Sequence, residues 1–249
     1  MPTPLSTAIA AARAAGELLR ANFGQELDVT AFKAHDIKLD LDVRSQDLIT
    51  ARIFADFPNH ALYGEEGVAG NQDSEYQWIV DPIDGTVNYF YSIPHFCISI
   101  ALRHRMEMQL GVIYDPMRDE LWEVEAGGVP LLNGKPCKVS PRTSLPEAIV
   151  SVGLSKDLAG ISAAAPRIIQ YAQRVRKCRV MGSAALDLAY VACGRLDAYI
   201  EQSVSLWDVA AGKILVEQAG GKFEMRSHDN HPDKVAVQAS NGRFSLELD

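Results

Sequence analysis

The stretch Trp78-Ile79-Val80-Asp81-Pro82-Ile83-Asp84-Gly85-Thr86 decides the fold and predicts where the chemistry lies. Apolar residues run into two carboxylates at positions 81 and 84, and a Gly-Thr pair follows. This pattern predicts a buried strand that ends at a tightly turned polar site. Two carboxylates at one buried turn repel each other and have raised pKa values unless a cation neutralises them. We therefore expect a cation site at this strand end.

The residues of this turn favour a metal together with a phosphate group. Oxygen ligands alone suit a hard cation, so Mg²⁺ is expected, with Mn²⁺ or Ca²⁺ as alternatives. Pro82 keeps Asp81 extended, which would turn the carbonyl of Ile83 inward as a further ligand. Gly85 allows close approach of the backbone, and Thr86 supplies a hydroxyl and would cap a phosphate-binding helix. The competing interpretation is a capped turn without chemistry.

Composition and charge restrict the class of protein. The chain has 249 residues, is 47% hydrophobic and carries a net charge of −8, so it can bury a large core. The acidic balance argues against a nucleic-acid-binding surface, and it means that an anionic substrate needs a cation at the site. This requirement agrees with the cation site expected at the strand end.

Cysteine usage and hydropathy indicate the compartment. Cys97, Cys137, Cys178 and Cys193 are far apart and form no C-x-x-C pair, so we expect reduced thiols rather than disulfides or zinc ligands. The N-terminal region lacks the apolar core of a signal peptide, and no apolar run reaches the roughly 18 residues of a membrane span. We expect a soluble, cytoplasmic protein with no membrane partner.

The first half predicts helices on a mostly antiparallel sheet. Apolar residues from Leu5 to Phe23 recur at helical spacing, with Thr3 as N-cap and Pro4 at the first position, and a second helix ends at Pro58. Between the two helices, carboxylates alternate with apolar residues from Asp36 to Asp42, where Asp42 is either a site residue or a helix N-cap. Strands are expected at 61–64, 96–102, 109–114 and 120–124, followed by a hairpin at Asn133-Gly134.

The second half predicts an α/β layer. Strands at 148–152, 178–181 and 196–201 alternate with helices at 163–174, 183–193 and 207–218. The fold class is therefore α+β in the first half (1–146) and α/β in the second (147–249). Without a linker between them, the halves are expected to form a single domain over 1–249.

Other polar residues lie at predicted strand ends and helix starts. Glu65 follows a short strand, and adjacent strands would bring it to the same metal as Asp81, although a Glu-Glu pair is often only solvated. Asp208 begins a helix and is either a cap or a metal ligand. The turn Gly182-Ser183-Ala184 offers N–H groups and a hydroxyl to a polar ligand, and Glu201 would accept hydrogen bonds from substrate hydroxyls.

Several motifs together resemble the inositol monophosphatase family of Mg²⁺-dependent, lithium-sensitive phosphatases. They are Gly64-Glu65-Glu66, Trp78 to Thr86, Gly182-Ser183-Ala184, Trp207-Asp208-Val209-Ala210 and Glu217-Gln218-Ala219-Gly220-Gly221. The resemblance covers nearly the whole chain. It implies a layered αβαβα sandwich like that of the inositol monophosphatases and fructose-1,6-bisphosphatases, a homodimer, and two or three Mg²⁺ ions, with Mn²⁺ as a substitute and Li⁺ as an inhibitor.

The same resemblance implies roles for individual residues. Glu65, Asp81 and the Ile83 carbonyl would bind one metal, Asp81, Asp84 and Asp208 a second, and Glu65 would lie near a third. Asp42 and Thr86 would activate the attacking water, and Glu65 belongs with them as a catalytic residue. Asp84, Gly85, Thr86, Gly182, Ser183, Ala184 and Glu201 would contact the substrate.

The sequence departs from the family pattern in two places. Lys38-Leu39 stand where the family often has Val-Thr, which affects the surroundings of Asp42. The chain also stops soon after Ala239-Ser240-Asn241-Gly242, where many members continue into a terminal helix, so packing or the dimer edge is expected to differ.

The expected substrate is a small phosphorylated metabolite, most simply an inositol monophosphate. Histidinol phosphate and fructose 1,6-bisphosphate are alternatives within the superfamily. Haloacid dehalogenase-type phosphatases use aspartates two positions apart, whereas Asp81 and Asp84 are three apart. A non-catalytic protein that binds metal and phosphate esters is the alternative outside the enzymes.

Overall fold

The computed structural model describes residues 1–33, 35–156, 158–228 and 231–247. Its helices are α1 (Pro4–Asn22), α2 (Asp40–Asp56), α3 (Thr86–Phe90), α4 (Leu158–Arg174), α5 (Ala184–Ala192) and α6 (Leu206–Gln218). Its strands are β1 (Val29–Lys33), β2 (Asp36–Leu39), β3 (Ala61–Gly64), β4 (Gly67–Gly70), β5 (Tyr76–Asp84), β6 (Cys97–His104), β7 (Glu107–Asp115), β8 (Glu120–Glu125), β9 (Leu131–Leu132), β10 (Lys135–Pro136), β11 (Ile149–Val152), β12 (Lys177–Arg179), β13 (Ala198–Ser205), β14 (Lys222–His228) and β15 (His231–Ser240).

Two large sheets and a small hairpin carry these strands. The larger sheet has the order β10-β9-β8-β7-β6-β5-β3-β4, and its neighbouring strands are antiparallel except for the parallel pair β3 and β5. The smaller sheet has the order β12-β11-β13-β15-β14, with β12, β11 and β13 parallel and the remaining pairs antiparallel. Strands β1 and β2 form the separate hairpin.

Three apolar clusters show how the layers stack. One cluster joins α1 and α2 to one face of the larger sheet. A second joins α5 and α6 to the other face of that sheet and to the smaller sheet, and a third joins α4 to the smaller sheet. The order is helix, sheet, helix, sheet, helix, which confirms the predicted layered αβαβα sandwich.

Helix α6 lies between the two sheets and is apolar on most of its surface, as such a position requires. It approaches β7 very closely at Gly111, where an added Cβ would be 2.7 Å from the carbonyl oxygen of Ala211. A larger side chain at Gly111 would push α6 away from the sheet. This contact sets the position of the helix whose first turn carries Asp208.

Most predicted elements are present, with shifts at their ends. Helix α1 has Thr3 as N-cap and Pro4 as first residue, as expected. Helix α4 begins at Leu158 rather than 163. Strand β12 ends at Arg179 rather than 181, because β12 is a short, largely exposed edge strand. The sequence did not predict β1, β4 or the β14–β15 hairpin.

The four cysteines are free thiols. Within the described ranges, no helix combines the length and apolar character of a membrane span.

Candidate metal centre and substrate cleft

The parallel pairing of β3 and β5 brings the first two acidic groups together. Gly64 pairs with Val80, and the N–H of Glu65 donates to the Val80 carbonyl at 3.2 Å. Both strands therefore end at one edge of the sheet, with Glu65 beside Asp81, as the sequence predicted. The pairing of β5 with β6 is irregular between Asp81 and Asp84, which allows both carboxylates to lie at the end of the strand.

Helix α6 delivers a third carboxylate from the second half of the chain. Asp208 lies in its first turn, and its Oδ2 accepts the N–H of Ser205 at 2.8 Å. The N-cap of α6 is Ser205, so Asp208 is not the N-cap itself; it bonds back to the cap from the first turn and also belongs to the acidic group. One carboxylate oxygen each from Glu65, Asp81 and Asp208 lies within 4.8 Å of the others.

Burial makes this group costly without a cation. Burial, with a smaller contribution from the charge of Asp208, raises the pKa of Glu65 to about 7, although Lys156 opposes the change. Burial also holds the pKa of Asp81 well above its ordinary value, with added repulsion from Glu65, Asp84 and Asp208. Hard oxygen donors at this spacing fit a divalent cation such as Mg²⁺, which would replace the protons.

Lys156 supplies part of the missing positive charge. Its Nζ lies 2.7 Å from Asp36 Oδ1 and 3.6 Å from Glu65 Oε1. Its side chain is about half exposed, so solvent weakens both ion pairs. No sequence pattern pointed to this residue, because it lies in a loop far along the chain from both carboxylates.

Asp84 is held by the start of α5. Its Oδ2 accepts the Ser183 hydroxyl at 2.6 Å and the N–H of Ala185 at 2.7 Å. Burial and the charge of Asp208 raise its pKa to about 7, although these hydrogen bonds oppose the change. Because the Ser183 proton is committed to Asp84, this hydroxyl can offer a ligand only its acceptor lone pair, which is narrower than the role predicted for it.

Asp42 lies beneath the cleft and reaches it through Thr86. Its Oδ2 accepts the N–H of Leu39 at 2.7 Å, and its Oδ1 accepts the Thr86 hydroxyl at 3.3 Å. Burial raises the pKa of Asp42 to about 7. The N-cap of α2 is Leu39, so the alternative that Asp42 is the N-cap is wrong; Asp42 instead bonds back to the cap from the first turn.

Thr86 does not cap the helix that follows it. Gly85, with a φ of 95°, is the N-cap of α3, and Thr86 is the first helical residue. The Thr86 hydroxyl donates to the Ile83 carbonyl at 2.9 Å and also lies near Asp42. Since one hydroxyl has one proton, these two acceptors share it. Gly85 is required because an added Cβ would lie 3.1 Å from the His95 carbonyl, on a backbone that disfavours side chains.

Positions 38 and 39, where the sequence departs from the family pattern, contact the acidic residues in different ways. Leu39 contributes only its backbone N–H to Asp42, which any residue other than proline can do. Lys38 turns to the acidic loop, where its Nζ lies 2.8 Å from Glu66 Oε1.

The second half of the chain forms the opposite wall of the cleft. Glu201 on β13 is 8% exposed and accepts a hydrogen bond from the Tyr199 hydroxyl. Burial raises its pKa to about 7. The turn at Gly182 is tied to the first half by Asn88, whose Nδ2 donates to the carbonyls of Met181 and His95, each at 2.9 Å.

These walls enclose a cleft of roughly 230 Å³. Every predicted site residue except Asp42 lines it: Glu65, Asp81, Ile83, Asp84, Gly85, Thr86, Gly182, Ser183, Ala184, Glu201 and Asp208. The sequence missed Asp187, Lys156 and Lys234, which also line the cleft. Asp187 had one usable signal, a carboxylate in the first turn of an otherwise apolar helix; the lysines had none.

Comparison with known proteins shows which proteins share this sequence and fold. The inositol monophosphatase family model matches residues 2–245. An inositol-1-monophosphatase of Mesorhizobium japonicum is 38% identical over 95% of this chain and 91% of its own length. A Nus factor SuhB of Xylella fastidiosa is 37% identical over 96% of this chain and 90% of its own. The solved inositol monophosphatase of Anabaena is 38% identical, with a TM-score of 0.83 over 96% of this chain and 90% of its own.

The layered fold, the acidic cluster and these relatives define a phosphoric monoester hydrolase. More particularly, the chain belongs to the inositol monophosphatase family.

Proposed function

We propose that this protein is a Mg²⁺-dependent phosphomonoesterase that hydrolyses an inositol monophosphate. The observation that carries the proposal is the meeting of Glu65, Asp81 and Asp208 at one end of the cleft. Three buried or half-buried carboxylates at this spacing bind a divalent cation and, through it, a phosphate. The name of the Mesorhizobium japonicum relative supports an inositol monophosphate as substrate.

Each residue has a proposed role. Glu65, Asp81, Asp84, Asp208 and the Ile83 carbonyl would hold the metals. When bound, Mg²⁺ supplies charge neutralisation of the phosphate and an acidified water. The backbone at Gly85 and Thr86 would contact the phosphate, and the wall formed by Gly182, Ser183, Ala184 and Glu201 would contact the alcohol through its backbone and the Glu201 carboxylate.

Proton transfer is assigned to Thr86 and Asp42. The Thr86 hydroxyl orients the attacking water and accepts its proton as it passes its own proton to Asp42 Oδ1. A carboxylate with a pKa of about 7 suits a general base at neutral pH. Water attacks phosphorus as the ester P–O bond breaks, the alcohol oxygen leaves with the electron pair of that bond and takes up a proton from solvent water, and no covalent phosphoenzyme forms.

Release of phosphate from a substrate panel tests the proposal. The panel contains myo-inositol 1-phosphate, histidinol phosphate and fructose 1,6-bisphosphate, each with Mg²⁺, with EDTA and with added Li⁺. We expect Mg²⁺-dependent release that Asp81→Asn abolishes and the exposed-site control Asp47→Asn retains. A folded wild-type protein that binds Mg²⁺ but releases no phosphate would favour the non-catalytic binding protein. Detection of a trapped aspartyl phosphate at Asp81 would overturn the mechanism.

A role as a Nus factor is the second candidate, since several relatives carry that name. Retention of the whole acidic site favours the enzyme as the first candidate. The Asp81→Asn variant separates the two, because it should lose hydrolysis and keep any role that needs only the folded surface.

Further properties are proposed from family membership. They are a homodimer, two or three metal ions with Mn²⁺ as a substitute, inhibition by Li⁺ and a cytoplasmic location. We also propose that 1–146 and 147–249 fold as one domain, which the apolar cluster shared by both halves supports.

A further inference from the structure

Asp187 is a buried acid in the cleft that takes no part in the proposed mechanism. It lies in the first turn of α5 and is 1% exposed. Its Oδ2 accepts the Ser151 hydroxyl at 2.6 Å. Its Oδ1 has no hydrogen-bond partner among the described residues, although a buried acceptor without a donor costs free energy. One half of this carboxylate is therefore fixed by the protein and the other half is free.

The place of Asp187 in the cleft suggests what the free oxygen is for. Asp187 lines the same cleft as the acidic metal group. Burial raises its pKa well above the ordinary value, and Asp84 and Glu201 are near enough to raise it further. Asp187 therefore lies close to two residues already assigned to the site, one on the metal side and one on the wall for the alcohol.

The neighbouring wall is also built from hydrogen-bond acceptors. Glu201 is held on one side by the Tyr199 hydroxyl, and Gly153 packs directly against both groups. A Cβ at Gly153 would collide with Glu201 Oε2 and would lie 2.8 Å from the Tyr199 hydroxyl. Ser151, Tyr199 and Gly153 thus hold two carboxylates in fixed positions on one side of the cleft.

We propose that Asp187 is a specificity-determining residue whose Oδ1 accepts a hydrogen bond from the alcohol part of the substrate. The bound group is a hydrogen-bond donor, a hydroxyl of a polyol or the ammonium of an amino alcohol. This inference rests on the proposed phosphatase function.

The test compares esters that share a phosphate and differ in the alcohol. myo-Inositol 1-phosphate carries hydroxyl donors, histidinol phosphate carries an ammonium, and p-nitrophenyl phosphate carries no donor on its leaving group. Inorganic phosphate, as a competitive inhibitor, reports on the metal end alone. The proteins are wild type, Asp187→Asn and Asp187→Leu, with Asp47→Asn as a control of the same chemistry on the exposed face of α2.

For wild type, we expect a higher kcat/KM with a donor-bearing ester than with p-nitrophenyl phosphate. For both Asp187 variants, kcat/KM for the donor-bearing ester should fall by about tenfold, and by up to about a hundredfold for the ammonium, mainly through KM. The values for p-nitrophenyl phosphate and the inhibition constant of inorganic phosphate should stay within about threefold of wild type. A larger loss with histidinol phosphate identifies the ammonium as the preferred donor, and a larger loss with the inositol ester identifies the hydroxyl.

Two outcomes overturn the assignment while leaving the enzyme intact. An equal fall for all esters would make Asp187 a structural residue, and unchanged kinetics for the donor-bearing esters would show that it does not contact the alcohol. Absence of phosphate release from all three esters by wild type would instead refute the proposed function, and this inference with it.

Discussion

Replacing Glu65 with glutamine should stabilise the metal-free protein and weaken its response to Mg²⁺. The side chain of Glu65 is 15% exposed, and burial raises its pKa from an ordinary value of 4.5 to about 7. Between these values the folded protein holds a proton that the unfolded chain has lost. Stability therefore falls as the pH rises through this window.

The size of the effect follows from the same two values. The interval from 4.5 to about 7 corresponds to roughly 3 kcal/mol, at about 1.36 kcal/mol for each pH unit. Burial of the glutamine amide offsets part of this gain. We expect Glu65→Gln to be about 2 kcal/mol more stable than wild type at pH 8 without metal, or roughly 4–8 °C in Tm. At pH 5 the gain should be below about 1 kcal/mol, because folded Glu65 is then protonated.

Thermal unfolding at pH 5 and pH 8, in EDTA and then with increasing Mg²⁺, measures these differences. Wild type should gain about 3 kcal/mol at a Mg²⁺ concentration one hundred times its Kd, whereas Glu65→Gln should gain less at the same concentration, because only Asp81, Asp84 and Asp208 remain to hold a metal. Glu17→Gln, the same change at an exposed position of α1, serves as the control and should behave as wild type. A variant that is no more stable than wild type at pH 8 in EDTA, or whose gain is the same at pH 5, would refute the reasoning.

Substitutions at three further positions test other parts of the site. Thr86→Val should lower kcat by about a hundredfold with Mg²⁺ affinity unchanged, and Thr86→Ser should retain most activity, because only the hydroxyl reaches Asp42; equal losses in both variants, measured by steady-state kinetics, would contradict this role. Gly153→Ala should raise KM for the phosphate ester more than it lowers kcat, since the new Cβ meets Glu201; an unchanged KM would show that this wall does not contact substrate. Lys156→Met should tighten Mg²⁺ binding about two- to fivefold by calorimetry, because it removes a half-exposed positive charge near Glu65; weaker binding would mean that Lys156 supports the site instead.

Local sequence determined the strand end and its chemistry. The apolar run into Asp81 and Asp84, followed by Gly85, predicted a buried strand and a turn, and β5 and the N-cap of α3 have that form. These features depend on side-chain periodicity and backbone preferences within a few residues, which a sequence shows directly. The proximity of Glu65 to Asp81 could be predicted for a related reason, since both residues lie at the ends of strands that are close together in the chain.

The ends of elements were harder to predict from the sequence, and the hairpin near the C-terminus was missed. Strand β14 alternates polar and apolar residues from Lys222 to Arg226, a signal that could have predicted it, whereas β12 is a short edge strand whose extent depends on its neighbour. Of the two alternatives for Asp42, the N-cap was wrong, because Asp42 bonds back to Leu39 from inside the helix.

The tertiary structure alone decided how the second half completes the site. The Ser183 hydroxyl bonds to Asp84 from 99 positions away, and Lys156 reaches Glu65 from another layer. Asp187 was left with one free oxygen by the way α5 packs against β11. These contacts depend on how closely α5 and α6 lie between the two sheets, and that closeness is set by packing at residues such as Gly111. The sequence determined which residues could do the chemistry, because that follows from short-range pattern; the packed layers determined which atoms remain free to do it.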